Sequence, residues 1–228
     1  MSLPILVINP NSNEEVTAAI DRALDPLRSN DAPPINCITL KDGPFGIESE
    51  RDVDVAAFCV GAAVEEKANN ASALVIACYS DPGLRAAREI TPKPVFGIAE
   101  TGLATAIMLG GRIGVISILE KSVDRHLNYA RALGLEGRIV GDLPVNLTVA
   151  ELANEASVTS RMLDVGRQLR NEHNANVIVL GCAGMARYRQ RMEEELEIPV
   201  IDPTQAAVAA ALSAIRLDYP GRRHVNGA

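Results

Sequence analysis
At 228 residues, 47% of them hydrophobic, the chain is long enough for one large or two small domains around a well-buried core, which excludes wholesale disorder. Its 22 Lys and Arg against 29 Asp and Glu give a net charge of −7 with no long run of one sign, so neither nucleic acid nor an anionic membrane is an expected partner. The stretch from Met1 to Asn11 has no basic region and only a short apolar run, which suits neither a signal peptide nor a membrane span, so a cytoplasmic protein acting on a small molecule is expected.

In chain order, Ile5 to Ile8 is a short apolar run bounded by Pro4 and by Asn9-Pro10-Asn11, as a strand covered on both faces would be. Ser12, with Glu15 three residues on, has capping-box spacing and predicts a helix to about Leu27. Ile35 to Leu40 follows as a second strand. The turn-rich loop Lys41 to Ser49 is a candidate lid or pocket wall, and Asp52 to Asn69 returns to a helical pattern. Leu74 to Ala77 is a buried strand that stops at Cys78 and turns through Asp81-Pro82-Gly83 into a helix. Pro94 to Ile98 is a further strand, and Glu100 to Leu109 a further helix.

The programme then restarts. Arg112 to Ile118 resembles the opening strand displaced by about 108 positions, with Ser117 in the place of Asn9. Glu120 to Leu133 is helical, Arg138 to Asp142 is a strand, and Leu147 to His173 is a long helical stretch with a cap at Thr148. Asn176 to Met192 repeats the cysteine unit: an apolar strand stops at Cys182, then small residues lead into a helix-like run. Pro199 to Ile201 echoes Pro94 to Phe96 at a displacement of about 105, Thr204 to Leu217 closes the fold, and Tyr219 to Ala228 reads as a frayed tail. This alternation predicts an α/β fold of two pseudosymmetric lobes, each a parallel sheet flanked by helices. Lobe 1 is expected to comprise 1–99 plus 204–217 and lobe 2 100–203, with the site in the cleft between them, outside the carboxyl ends of the strands.

Four cysteines, Cys37, Cys59, Cys78 and Cys182, make no disulfide framework and are read as reduced thiols. There is no C-x-x-C or H-x-x-H pair, the three histidines are scattered, and no Walker loop or G-x-G-x-x-G follows a strand, so neither a metal nor a nucleotide cofactor is expected. Taken singly, any of these cysteines is a space-filling core residue. Cys78 and Cys182, 104 positions apart, end equivalent strands, and this pairing makes them the candidate catalytic residues, whereas Cys37 and Cys59 read as core. The helix start after Cys78 is expected to lower its thiol pKa. Asn9 and Asn11 read equally as a turn with a helix start and as substrate ligands. His126 reads as a helix-surface residue, because no G-x-S-x-G elbow is present for it to serve. Glu48 and Glu100 read as surface or capping residues, with contact to substrate amides as the alternative.

INPN at Ile8 to Asn11, ACYSDPGLRAARE at Ala77 to Glu89, VLGCAGMA at Val179 to Ala186 and IPVID at Ile198 to Asp202 together resemble the hydantoin and allantoin racemases, within the aspartate/glutamate racemase superfamily. The resemblance covers nearly the whole chain. It implies a cofactor-independent, two-lobed, usually oligomeric isomerase in which Cys78 and Cys182 serve as bases on opposite faces of a planar carbanion. Racemisation at a carbon next to a carbonyl needs a proton removed from one face and delivered to the other, so one thiolate and one thiol must flank it. The developing charge needs donors, for which the backbone N–H groups of Tyr79, Ser80, Ala183 and Gly184 are candidates, with Asn9, Asn11 and Ser117 holding ring amides or carbonyls. Family members often carry Phe-Gly or Phe-Asp after the first cysteine. Tyr79-Ser80 stands here, and its two hydroxyls predict a more polar substituent on the substrate. Other superfamily activities, malonate decarboxylation or maleate isomerisation, and a non-catalytic two-lobed binding protein are the alternatives.

Overall fold
The computed structural model describes residues 2–147, 151 and 155–221; the cap expected at Thr148 and the tail beyond Gly221 lie outside them. Two four-stranded sheets carry the fold. The first joins β1 (Ile5–Asn9), β2 (Ile35–Thr39), β3 (Ala73–Ile76) and β4 (Val95–Gly97) in the order β2-β1-β3-β4. The second joins β5 (Ile113–Ser117), β6 (Ile139–Pro144), β7 (Val177–Leu180) and β8 (Val200–Ile201) in the order β6-β5-β7-β8. Every pairing is parallel, and the two orders are the same when the second set is renumbered from its first strand. All residues of β1, β3, β5 and β7 are buried, which is why they read as continuous apolar runs.

The two faces of each sheet go to different cores. Ile5 and Val7 of β1 and Val75 of β3 share one large cluster with Ile116 of β5 and Ile178 and Leu180 of β7, so one face of each sheet is buried in common. Leu6, Ile8, Leu74 and Ile76 point the other way. There they meet Val60 and Val64 of α2 (Glu50–Lys67) and Leu84 and Ala87 of α3 (Leu84–Ile90). On the second sheet, Ile113, Val115, Val177 and Val179 meet Ala99, Leu103 and Ala106 of α4 (Ile98–Leu109) and Ala130 of α5 (Glu120–Ala132). The alternation is the two-residue period of a strand, read on both faces. The chain also crosses over: α4, which follows the first sheet, packs on β7 and β5, while α8 (Pro203–Arg216), at the end of the second, packs on β3 and β4 and alongside α4.

Several boundaries differ from the sequence reading. The cap of α1 (Glu14–Ala23) is Asn13 rather than Ser12: its Oδ1 accepts from Glu15 N at 3.0 Å, and a separate 3-10 turn at Asp25–Leu27 follows the helix. The capping box lies instead at Ser49 and Asp52, opening α2. The remaining helices are α6 (Glu155–Asn171) and α7 (Arg189–Leu196). Cys37 and Cys59 are both only half-buried, so neither is the core residue expected. Among the described residues, no helix is long and apolar enough to cross a membrane.

One interaction ties the first lobe to the second. Asp81, expected to be no more than part of a helix start, has a buried carboxylate that accepts from Ala99 N at 2.9 Å, Glu100 N at 3.0 Å and the Tyr129 hydroxyl at 2.9 Å. It therefore caps α4 from a distance, where α8 takes the same service locally from Asp202, whose Oδ1 accepts from Thr204 N at 2.8 Å. Gly97 makes this possible, since a Cβ there would fall 2.3 Å from the Asp81 carboxyl carbon. Replacing Asp81 by Ala strands two helix N–H groups and a phenol, and is predicted to cost about 2–4 kcal/mol of unfolding free energy. Urea denaturation measures this, and a loss under about 0.5 kcal/mol, the size of an ordinary surface change, would contradict it.

Candidate active site
The two cysteines occupy the same place in the two sheets. Ile8 pairs with Ile76 and Ile116 with Leu180 as the last matched residues of their ladders. One residue on, Ala77 N donates to Ile8 O at 2.9 Å and Gly181 N to Ile116 O at 2.8 Å. The next residue is Cys78 in one lobe and Cys182 in the other. Each then opens a matching turn: Asp81 N donates to the Cys78 carbonyl at 2.9 Å, and Met185 N to that of Cys182 at 3.1 Å. In each case the N–H two residues after the cysteine, Ser80 or Gly184, donates to its sulfur.

Both cysteines line one cleft, whose empty space, its open mouth included, is about 440 Å³. Asn11, Val16, Ile47 and Ala77 to Ser80 contribute from the first lobe; Ile118, Ser122, Arg125, His126 and Gly181 to Gly184 contribute from the second. Ile47 brings the loop 41–49 to the cleft wall, while Phe45 is exposed. Tyr79, Ser80, Ala183 and Gly184 are thus at the cleft, as is Asn11. The Oδ1 of Asn11 accepts from Asn9 Nδ2 and Asn13 N, both at 3.0 Å, and its Nδ2 makes no hydrogen bond among the described residues.

Asn9 and Ser117 end β1 and β5 but do not line the cleft. The Asn9 amide donates to Asn11 Oδ1, to the Asn13 carbonyl at 3.2 Å and to Thr17 Oγ1 at 2.9 Å, and its own oxygen accepts from Asn11 N. Ser117 is fully buried, donates to Asp142 Oδ1 and lies 2.9 Å from His126 Nδ1. Each side chain is committed to a polar cluster that braces the residues above it.

One residue departs from what the sequence suggested, and two take partners that it did not announce. His126 is no surface residue: it is buried, lines the cleft and presents Nδ1 to Asp142 Oδ2 at 3.1 Å, while its Nε2 makes no hydrogen bond among the described residues. Tyr79 packs edge-on against this imidazole with centroids 4.9 Å apart. Its hydroxyl is buried without a partner among the described residues, and burial holds the phenol well above its ordinary pKa. Ser80 Oγ accepts from Arg125 Nε at 3.0 Å. Arg125 carried no signal of its own, but α5 buries Ser122, His126 and Ala130, four residues apart, and a polar residue on that stripe marks His126.

The expected lowering of the Cys78 pKa is also overturned. The helix α3 begins only at Leu84, beyond a turn that separates it from Cys78. Burial pushes the thiol up to about 12, against the Ser80 N–H, with the second thiol and Asp81 adding to the rise and Arg125 opposing it. Burial likewise pushes Cys182 up to about 11, against the Gly184 N–H and helped by Glu48 and Asp202. The pair is coupled: a charge on one sulfur disfavours a charge on the other. Among the described residues, no three His, Cys, Asp or Glu side chains are grouped to hold a metal ion.

With this geometry in view, the Asp/Glu/Hydantoin racemase family matches residues 5–211 of the chain. Hydantoin racemases of Pseudomonas sp. (strain NS671) and Paenarthrobacter aurescens are 34% and 35% identical to it, covering 94% of this chain and 87% and 92% of their own lengths. Among solved structures, an allantoin racemase from Klebsiella pneumoniae is similar with a TM-score of 0.92 at 28% identity, covering 98% of this chain and 92% of that one.

Thiols held this far above the usual range are protonated at neutral pH and poor nucleophiles. In the ligand-free protein, carbamidomethylation of Cys78 and Cys182 by iodoacetamide is predicted to be slower at neutral pH than that of a free cysteine peptide. The rate should climb steeply above about pH 9, past the ordinary thiol pKa. Peptide mapping by mass spectrometry reads each site separately, and rapid labelling of either at neutral pH would contradict the assignment.

Proposed function
This chain belongs to the Asp/Glu/hydantoin racemase family, and on that footing we propose that it is a cofactor-independent racemase of 5-substituted hydantoins or allantoin. Cys78 and Cys182 act as the two bases at C5. The observation that carries this reading is the equivalence of the two thiols: each is the second residue past the last matched ladder position of its sheet, and both line one cleft.

The chemistry follows from that arrangement. With a substrate ring between the sulfurs, a thiolate on one side removes the C5 proton, becoming a thiol, and the electron pair of the C–H bond moves onto the adjacent carbonyl oxygen. The thiol on the other side then delivers its proton to the opposite face of C5 and keeps the electron pair as thiolate. Atoms and charge balance, the sulfurs exchange protonation states, and the enantiomer has inverted. Coupling between the thiols suits this cycle, because at no stage are both sulfurs charged. Asn11, which lines the cleft and whose Nδ2 makes no hydrogen bond among the described residues, is available to a ring carbonyl, and the Nε2 of His126, on the same lining, is available to a polar group of the ring.

Polarimetry on resolved allantoin and a set of 5-alkyl and 5-aryl hydantoins tests the reaction, and Cys78→Ala and Cys182→Ala should each slow it by about 10²–10⁴-fold. Full activity in both variants would remove the two-thiol mechanism. Because the working enzyme needs one thiolate and both thiols are pushed up to about 11 or 12, kcat/KM is predicted to rise with pH above neutral towards about 11. A profile that is flat or falls over that range would contradict thiolate catalysis.

A further inference from the structure
Arg125 is the one permanently cationic side chain among the described residues lining the cleft. Its side chain is 10% exposed, and its setting is unusual for this protein. Arg28, Arg88, Arg131 and Arg189 each meet a carboxylate directly. Arg125 instead donates from Nε to Ser80 Oγ at 3.0 Å and from Nη2 to Ser122 Oγ at 3.2 Å, both neutral hydroxyls. Its one ion-pair partner among the described residues is Glu50, 3.9 Å from Nη1 and itself 73% exposed, so that attraction is long and screened by water.

A guanidinium withdrawn this far from water without a close counter-charge is unfavourable in the empty protein. Such an arrangement is explained when an anion occupies the site during turnover. The two hydroxyls pin the plane of the guanidinium, leaving Nη1 without a hydrogen bond among the described residues. Fixed donors of this kind stabilise developing charge without having to reorganise. The position is also apt: Ser80, which Arg125 holds by its hydroxyl, directs its N–H to the Cys78 sulfur, and the same cation opposes the rise in the Cys78 pKa.

We propose that Arg125 is a catalytic residue, the cation that binds the enolate oxygen formed when C5 loses its proton, so that the cleft selects the planar anion of a cyclic imide over the neutral ring. This rests on the racemase reading above. In that cycle the negative charge passes from one sulfur to the carbonyl oxygen and on to the other sulfur, and Arg125 stays charged throughout, neither gaining nor losing a proton.

Barbiturate, a cyclic imide that is already a planar enolate anion at neutral pH, is a suitable probe. Calorimetry should find that the wild-type protein binds barbiturate more tightly than neutral, unsubstituted hydantoin. Arg125→Gln should weaken barbiturate binding by about 10²–10³-fold, the usual effect of removing one such donor, and lower kcat on hydantoins by a similar factor, with KM changed far less. Arg125→Lys, which keeps the charge but loses the fork, should recover part of both. Equal wild-type affinity for the two rings would overturn the inference without any variant. So would barbiturate binding that is indifferent to Arg125→Gln, or an effect carried wholly by KM. Racemisation that proceeds in the wild type while barbiturate binding ignores Arg125 would overturn this inference alone. No racemisation by the wild type, together with Arg125-dependent barbiturate binding, would overturn the reaction and uphold the anion site.

Discussion

The inner core shared by the two sheets is the constraint on which the rest depends. One face of each sheet is buried against elements of the other, through Ile5, Val7 and Val75 on one side and Ile116, Ile178 and Leu180 on the other. Two sheets joined in this way present equivalent strand ends to a common seam, and β3 and β7 deliver their cysteines there. Packed cores deform little, so the seam is held by the same apolar contacts that stabilise the fold. The crossing of α4 and α8 onto opposite sheets, and the capping of α4 by Asp81 from the first lobe, reinforce the joint. A change at that cap therefore reaches the site through the scaffold, without touching a ligand.

On this symmetric frame the lining is asymmetric, and the asymmetry is where chemistry is specified. Both thiols have an N–H from two residues on, and both have a buried carboxyl behind them, Asp81 for one and Asp202 for the other. Burial pushes those carboxyls up as well, to about 7 and about 6, against the backbone N–H groups that favour their charged forms. Arg125 and His126, by contrast, both come from α5, and the first lobe supplies Asn11 to the same space. On the proposed reading, a symmetric pair of bases suits a reaction whose substrate and product are mirror images, while one-sided polar groups would hold the ring that both enantiomers share. The charge-bearing oxygen and the ring N–H groups need fixed partners; the proton at C5 needs two.

Much of this was legible in the sequence, and the reasons are physical. Strands buried on both faces are continuous apolar runs, as in Leu74 to Ala77, so β1, β3, β5 and β7 stand out, and their repetition exposes two similar lobes. The cysteine pair was visible because each follows such a run at its carboxyl end. What escaped depends on where side chains point across the tertiary structure. The reach of Asp81 to the N-terminus of α4 requires the space left by Gly97, which no local pattern announces. His126 was misread because its role comes from Asp142 on β6, sixteen positions away, and from Ser117 beneath it. The thiol pKa was misjudged because a helix start was weighed without the desolvation that dominates in a closed seam.

The central claim, that Cys78 and Cys182 work from opposite faces of one carbon, is tested most directly by isotope distribution at low conversion. A single enantiomer of a racemised hydantoin is incubated in heavy water, and the deuterium at C5 of both enantiomers is read by chiral separation and mass spectrometry before the reaction has gone far. Two bases on opposite faces predict that the product enantiomer carries solvent deuterium while the unreacted substrate keeps its proton. Deuterium washing into the recovered substrate as fast as into the product would place removal and return on a single group and contradict the account.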